Sequence, residues 1–179
     1  VLMLEEIVGL SKTCPSSCYG VIDHYLLSNT DLRKENVILP DGMCEDILKE
    51  AEKYTSAIDG LPDKRLDLQV LGIGEDGHIG MNRPARELIS DCHIEKLSEQ
   101  SVNRIKDKEN IEVHNTIAMG VRQIMQAKTL LMIANGRHKA DAVARMIKGN
   151  ITTEVPASLL QLHPNAIVLL DKEAASLII

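Results

Sequence analysis

Four of the eleven glycines crowd into one stretch, Leu71-Gly-Ile-Gly-Glu-Asp-Gly-His-Ile-Gly-Met-Asn-Arg-Pro84, at Gly72, Gly74, Gly77 and Gly80. Between them stand Glu75, Asp76 and His78. Glycine lets the backbone approach a small ligand and hold dihedrals closed to other residues. An aspartate two residues before a histidine can fix the imidazole tautomer and raise its basicity, the preparation that general acid–base catalysis needs. Gly72, Gly74 and Gly77 also spell G-x-G-x-x-G after an apolar run, the dinucleotide pattern. That reading requires a helix to start within the loop, so that its N-terminus meets a pyrophosphate. Gly80, Asn82 and Pro84 oppose such a helix, and Glu75 and Asp76 would repel the phosphates. An acid–base loop is the better reading, set against a polar loop with no chemistry.

A second candidate is Lys139 in Asn135-Gly-Arg-His-Lys-Ala140. A lysine at the start of a helix, in a glycine-flanked loop after a strand, is well placed for an anion; the plain alternative is a solvated surface lysine. The other histidines promise less. His163, in Leu-Gln-Leu-His-Pro, reads as a packed helix-end residue, and His24 and His93 as structural or exposed. No two His or Cys have metal-ligand spacing, so no metal is expected. Cys14, Cys18, Cys44 and Cys92 form no C-x-x-C pair and read as reduced thiols.

The elements that must position these residues alternate. Strands are expected at Val1–Leu4, Val37–Leu39, Leu66–Ile73, His93–Leu97, Thr129–Ala134 and Ala166–Leu170. Helices are expected over Cys18–Leu27, Glu45–Ile58, Gln100–Lys106, Val121–Gln126, Arg137–Met146 and Ala157–Leu162, with a charged turn at Lys106–Asn110 and a helical end. Strands separated by helices of this length imply βαβ units. The expected fold is therefore α/β: a Rossmann-like, doubly wound, mainly parallel sheet with helices on both faces. No repeat or linker divides residues 1–179, so a single domain is expected. In such sheets chemistry sits at the carboxyl ends of the strands, where the candidate motifs fall.

Composition narrows the function. With 44% hydrophobic residues, the chain has ample material for a core. No apolar run approaches the roughly 20 residues of a membrane helix, so no membrane partner is expected. A net charge of −6, three Tyr and neither Trp nor Phe disfavour nucleic acid. The N-terminus lacks a signal-peptide pattern, and a cytoplasmic location is expected. It also opens on an apolar run without an initiator methionine, so an upstream segment is expected.

Several motifs together carry a resemblance. Leu71–Pro84 resembles the G-x-G-x-D-G-H-I-x-F-N-E-P loop of the glucosamine-6-phosphate deaminase family. Leu4-Glu-Glu-Ile-Val-Gly-Leu10 is similar to that family's Leu-Asp-Glu-Tyr-x-x-Leu segment. Thr116-Ile-Ala-Met-Gly120, Asn135–Ala140 and Pro156-Ala-Ser-Leu-Leu-Gln-Leu-His163 are similar to its Thr-x-Gly turn, its Gly-x-x-Lys-Ala loop and its Ser-x-Leu-Gln-Leu-His helix. All stand in the family's order. Cys14–Cys18, Cys92-His-Ile and Val155-Pro-Ala-Ser look more like the galactosamine-6-phosphate isomerase branch.

The resemblance implies roles. His78 would open the pyranose ring, with Asp76 as its carboxylate neighbour. Glu5, with Glu6 beside it, would move the C2 proton, and Lys139 would hold the phosphate. Gly74, Gly77 and Asn82 would line the sugar phosphate. The implied reaction takes an amino-sugar 6-phosphate to a ketose 6-phosphate and ammonia, without a cofactor. Three departures stand out. The family's proton-moving Asp is Glu5 here. Its Glu in Asn-Glu-Pro is Arg83, a cation that would disfavour imidazolium at His78. Its Gly- and Thr-rich phosphate loop lies before the strand matching this chain's first residues, so a phosphate site of Lys139, with Arg104 or Lys106, is expected to be incomplete. The rivals are a 6-phosphogluconolactonase-type hydrolase, a non-catalytic sugar-phosphate sensor and, third, a dinucleotide binder. The sequence leaves a homo-oligomer open.

Overall fold

The computed structural model describes all residues, 1–179. They form two compact units, Val1–Ala57 with Cys92–Met119, and Ile58–Asp91 with Gly120–Ile179.

The first unit is built on a three-stranded antiparallel sheet in the order β1-β4-β3, from β1 (Glu5–Ile7), β3 (His93–Lys96) and β4 (Asn115–Ala118). The register sets Glu5 opposite Ala118 and His93 opposite the same residue. Helix α1 (Cys18–Tyr25) starts at Ser17, whose hydroxyl accepts the Gly20 N–H at 2.9 Å. Helix α3 (Glu99–Glu109) starts at Ser98 and ends at Asn110, which adopts the left-handed conformation that closes helices. Leu10, Cys14, Ile105 and Val113 form the core between them.

The second unit is built on a parallel sheet in the order β2-β5-β6, from β2 (Leu68–Leu71), β5 (Thr129–Ala134) and β6 (Ala166–Leu170). Helix α4 (Val121–Met125) leads into β5, and α5 (Ala140–Lys148) connects β5 to β6. Leu71, Leu130, Met132 and Ala134 point to one buried face. Ala142, Val143 and Met146 of α5 are buried as well, at the spacing of one helix face. The remaining helix, α2 (Ile47–Asp59), contributes Ala51 and Tyr54 to the first unit, the Tyr54 hydroxyl donating to the Met3 carbonyl. No helix is long and apolar enough to cross a membrane.

Strands β5 and β6 have the bounds expected from the sequence, and the α/β architecture with a parallel sheet is the expected one. Several details differ. Val37–Leu39, expected as a strand, holds only an isolated bridge at Ile38, because a single pairing to Leu2 does not make a ladder. The first strand is Glu5–Ile7 rather than Val1–Leu4, with Leu2 reduced to a bridge to Ile38. The charged stretch after Lys106 continues α3 to Glu109, because its charges face solvent from a helix rather than from a turn. Pro156–Leu162 is a 3-10 segment rather than an α-helix. Residues 172–178 are turns rather than a helix.

Candidate active site

The loop that follows β2 is a chain of tight turns. The Gly74 N–H donates to the His78 carbonyl at 2.9 Å, and the Gly77 N–H to the Gly74 carbonyl at 3.0 Å. This folds residues 74–78 back on themselves and sets the imidazole beside the Gly74 backbone. A Cβ at Gly74 would lie 2.1 Å from His78 Nδ1 and 2.6 Å from Asp76 Oδ1, so any larger residue there must displace the pair. Gly77 has φ +93°, a left-handed conformation that favours glycine, and its carbonyl accepts the Ala157 N–H at 2.9 Å. The loop is thus anchored to the 3-10 segment Pro156–Leu162.

Asp76 and His78 form a short pair. Asp76 Oδ1 lies 2.6 Å from His78 Nδ1 and also accepts the His78 backbone N–H at 3.1 Å. A carboxylate acceptor assigns the proton to Nδ1, which leaves Nε2 as the nitrogen that takes or gives a proton. Partial burial pushes the Asp76 carboxyl up. The His78 backbone N–H, the imidazole charge and its ring N–H outweigh burial and hold the carboxyl below its ordinary value. The ionised acid is what orients a histidine base.

Asn82 and Arg83 close the loop. Asn82 is buried; its backbone N–H and side-chain amide both donate to the Ile79 carbonyl, at 3.0 and 3.1 Å. Arg83 is half-buried, and its Nε is inaccessible without a hydrogen-bond partner. No carboxylate pairs with it. The family-like acid at this position is thus replaced by a cation that nothing in the protein neutralises.

Lys139 ends the 3-10 turn Arg137–Lys139 after β5, half-buried, with its N–H on the Gly136 carbonyl at 3.1 Å. Gly136 has φ +85°. Its N–H donates to Asp171 Oδ2 at 2.9 Å, and Asp171 Oδ1 accepts the Ala174 N–H at 2.7 Å. These two N–H groups hold the Asp171 carboxyl below its usual value. Asp171 therefore pins the Lys139 loop, a role the sequence reading missed. Its signal was an acid immediately after the last strand, at the carboxyl edge shared with Gly72–His78 and Asn135–Lys139. On the other side of the loop, Arg145 of α5 donates to the Glu75 carbonyl at 3.2 Å.

Glu5 and Glu6 lie in the first unit, on β1. Adjacent strand residues point to opposite faces, and the two carboxylates have different surroundings. Glu6 is 2% exposed. Its oxygens accept the N–H groups of Ile7, Cys18 and Tyr19 at 2.8, 2.9 and 3.0 Å. It therefore caps the N-terminus of α1, where an anion is favoured. Glu5 is half-buried on the other face. Burial, then the charges of Glu6 and Glu5, push the Cys18 thiol far up, which keeps it inert. None of the four cysteines forms a disulfide. His163 is the packed helix-end residue expected: Nε2 sits 2.8 Å from the Ala127 carbonyl, and Nδ1 accepts the Asn165 N–H. No group of three His, Cys, Asp or Glu is arranged as a metal site.

A carboxylate–imidazole pair on a glycine loop at the carboxyl edge of a parallel α/β sheet is an arrangement suited to acid–base chemistry. The comparisons sharpen this. The model of glucosamine-6-phosphate isomerases/6-phosphogluconolactonase matches residues 9–169, and the chain belongs to that family. It is 40% identical to a glucosamine-6-phosphate deaminase of Thermoanaerobacter pseudethanolicus, the match covering 98% of this chain and 70% of that protein. A glucosamine-6-phosphate deaminase of Clostridium acetobutylicum is 37% identical, with 98% and 73% covered. The solved structure of a monomeric glucosamine-6-phosphate deaminase superposes with a TM-score of 0.89 at 32% identity, over 98% of this chain and 73% of that one. A 6-phosphogluconolactonase from Trypanosoma brucei superposes at 0.76 with 22% identity, over 98% and 72%, which shows the shared fold.

Proposed function

We propose that this protein is an amino-sugar-6-phosphate isomerase/deaminase, converting glucosamine 6-phosphate or galactosamine 6-phosphate to the ketose 6-phosphate and ammonia. The observation that carries this is the 2.6 Å Asp76–His78 pair on a loop matching that of the deaminases. The relatives' names support the substrate class.

The chemistry is acid–base throughout. His78 Nε2 takes the proton of the anomeric hydroxyl and returns it to the ring oxygen, opening the pyranose. Asp76 stabilises the imidazolium formed in between. A base then removes the C2 proton, which the open-chain aldehyde and the amine acidify, and C1 is reprotonated through an enolamine. Water adds to the resulting C2 imine and ammonia leaves. Glu5 is assigned the C2-to-C1 transfer by its place in Leu4-Glu-Glu and because Glu6 is consumed as a helix cap. Lys139, backed by Asp171, is assigned the phosphate. Gly74 and Gly77 shape the loop around the sugar, and Asn82 fixes its exit. The enzyme so described works in the cytoplasm on a small molecule, without nucleic acid or membrane.

The test is ammonia release from each amino-sugar 6-phosphate at high enzyme concentration, with lactone hydrolysis in parallel. Slow ammonia release that drops roughly 100- to 10,000-fold in His78→Gln is expected. Lactone hydrolysis alone, or ammonia release indifferent to His78→Gln, overturns the reading.

A further inference from the structure

The Asp76–His78 pair is held by other segments of the second unit as well as by its own turns. The Ala157 N–H donates to the Gly77 carbonyl at 2.9 Å. Arg145 Nη2 donates to the Glu75 carbonyl at 3.2 Å. The two carbonyls stand on either side of Asp76, and the second adjoins His78. The Gly77 anchor is main chain to main chain. The Glu75 anchor is a side chain, so it depends on the residue type at position 145.

Helix α5 presents Arg145 from a firmly seated frame, since Ala142, Val143 and Met146 are buried. One turn earlier on the same helix, Asp141 Oδ2 lies 2.9 Å from Arg145 Nε. Both side chains are exposed, at 40% and 75%, so this ion pair adds little stability. Its effect is directional. A planar guanidinium met by a carboxylate at Nε presents its Nη groups in a fixed direction, and Nη2 meets the Glu75 carbonyl. That carbonyl belongs to the peptide that carries the Asp76 N–H. No peptide bond of the chain is cis, and in a planar trans peptide the C=O and N–H point opposite ways. Holding the Glu75 oxygen toward α5 therefore turns the Asp76 N–H away from it. Burial pushes the Asp76 carboxyl up. The His78 backbone N–H, the imidazole and Asp76's own N–H together outweigh burial.

We propose that Arg145 is a positioning residue for His78: by holding the Glu75–Asp76 peptide it keeps the Asp76 carboxylate at the imidazole Nδ1 and so leaves Nε2 free for proton transfer. The inference rests on the acid–base role given to His78 above, whichever sugar phosphate is the substrate. Arg145 acts through the loop and takes no proton itself.

The experiment compares the parent with Arg145→Met, which removes the donor but keeps a long unbranched side chain, and Arg145→Lys, which keeps a donor and the charge. The first readout needs no substrate. NMR of nitrogen-labelled histidine in alkaline buffer, with the His78 signals assigned by His78→Gln, reports which ring nitrogen holds the proton. In the parent the proton should sit on Nδ1. In Arg145→Met the two tautomers should mix, and in Arg145→Lys the Nδ1 form should return. The second readout is ammonia release. In Arg145→Met kcat should fall about tenfold with KM within about twofold, short of the roughly 100-fold of a full displacement by about 1 Å, because the Gly77–Ala157 hydrogen bond remains. Melting temperatures should stay within a few degrees, since the Arg145 side chain is exposed. An unchanged tautomer in Arg145→Met overturns the proposal, whatever the rate does. A loss carried by KM alone also overturns it, by assigning Arg145 to substrate binding. So does a melting temperature lowered by about ten degrees or more with no recovery in Arg145→Lys, which makes the role structural. Ammonia release absent from the parent, with the tautomer change intact, strikes the reaction assigned above and leaves this inference standing.

Discussion

Gly74→Ala isolates the contribution of the Asp76–His78 pair without touching either residue. The added methyl would sit 2.1 Å from His78 Nδ1, 2.3 Å from Cε1 and 2.6 Å from Asp76 Oδ1. Ordinary contact begins near 3.4 Å, so the imidazole must retreat by about 1.3 Å. The hydrogen bond at 2.6 Å cannot survive that shift. Displacing a catalytic group by about 1 Å costs on the order of 100-fold in rate, equivalent to about 2.7 kcal/mol of transition-state stabilisation. The fold should tolerate the change. Gly74 does not have a positive φ, and the His78 and Asp76 side chains are 33% and 48% exposed, so both can rotate outward. Ammonia release should fall about 100-fold while the melting temperature moves by only a few degrees. Activity within about threefold of the parent, with the fold intact, would refute the claim that this geometry sets the rate.

Glu6→Ala should destabilise the protein by about 2–3 kcal/mol, since it strands the Cys18 and Tyr19 N–H groups; denaturant unfolding checks this, and Glu5→Gln should instead cost activity with little loss of stability. Asp171 has a carboxyl held below its ordinary 3.8 by the Ala174 and Gly136 N–H groups. Its stabilisation is therefore present above about pH 4 and lost as pH falls through the depressed folded value; melting curves between pH 2 and 5 should show this acid-side loss flattened in Asp171→Asn. Arg83→Glu puts an acid five residues after His78, and an acid near an imidazole favours the protonated form. The acidic limb of the pH–rate profile should move to higher pH; an unmoved limb with lost sugar-phosphate affinity would show that Arg83 binds an anion of the substrate instead.

The second unit was legible because its signals are local. Thr129–Ala134 and Ala166–Leu170 are apolar runs bounded by Lys128, Asn135, Asn165 and Asp171, and both strands fall at those bounds. The turns of the glycine loop were legible because Gly72, Gly74, Gly77 and Gly80, with Asp76 and His78 between them, lie within nine consecutive residues. The first unit was harder. Periodicity says that a segment is a strand but not which way its partner runs, so the antiparallel order β1-β4-β3 was not visible. Lys106–Asn110 looked like a turn because it is charged, yet Ser98 and Asn110 at the two caps define one continuous α3. Asp171 escaped notice because its partner Gly136 is 35 residues away on another strand's loop.

Glu5 and Glu6 show how the structure resolves what the sequence offers as a pair. Two adjacent carboxylates in a motif read as interchangeable, but a strand sends them to opposite sides. Cys18 and Tyr19 present their N–H groups to one of those sides, because Ser17 starts α1 there. The first turn of a helix has donors with no intrahelical acceptor, and a buried turn must find one. Glu6 answers that need, and its buried charge is stabilised in return by the helix N-terminus. A group so committed is a poor proton carrier, since giving or taking a proton would break the cap. Half-buried Glu5 stands on the opposite side of the strand from that cap, and the C2 proton transfer proposed for it above is the role that Glu5→Gln tests.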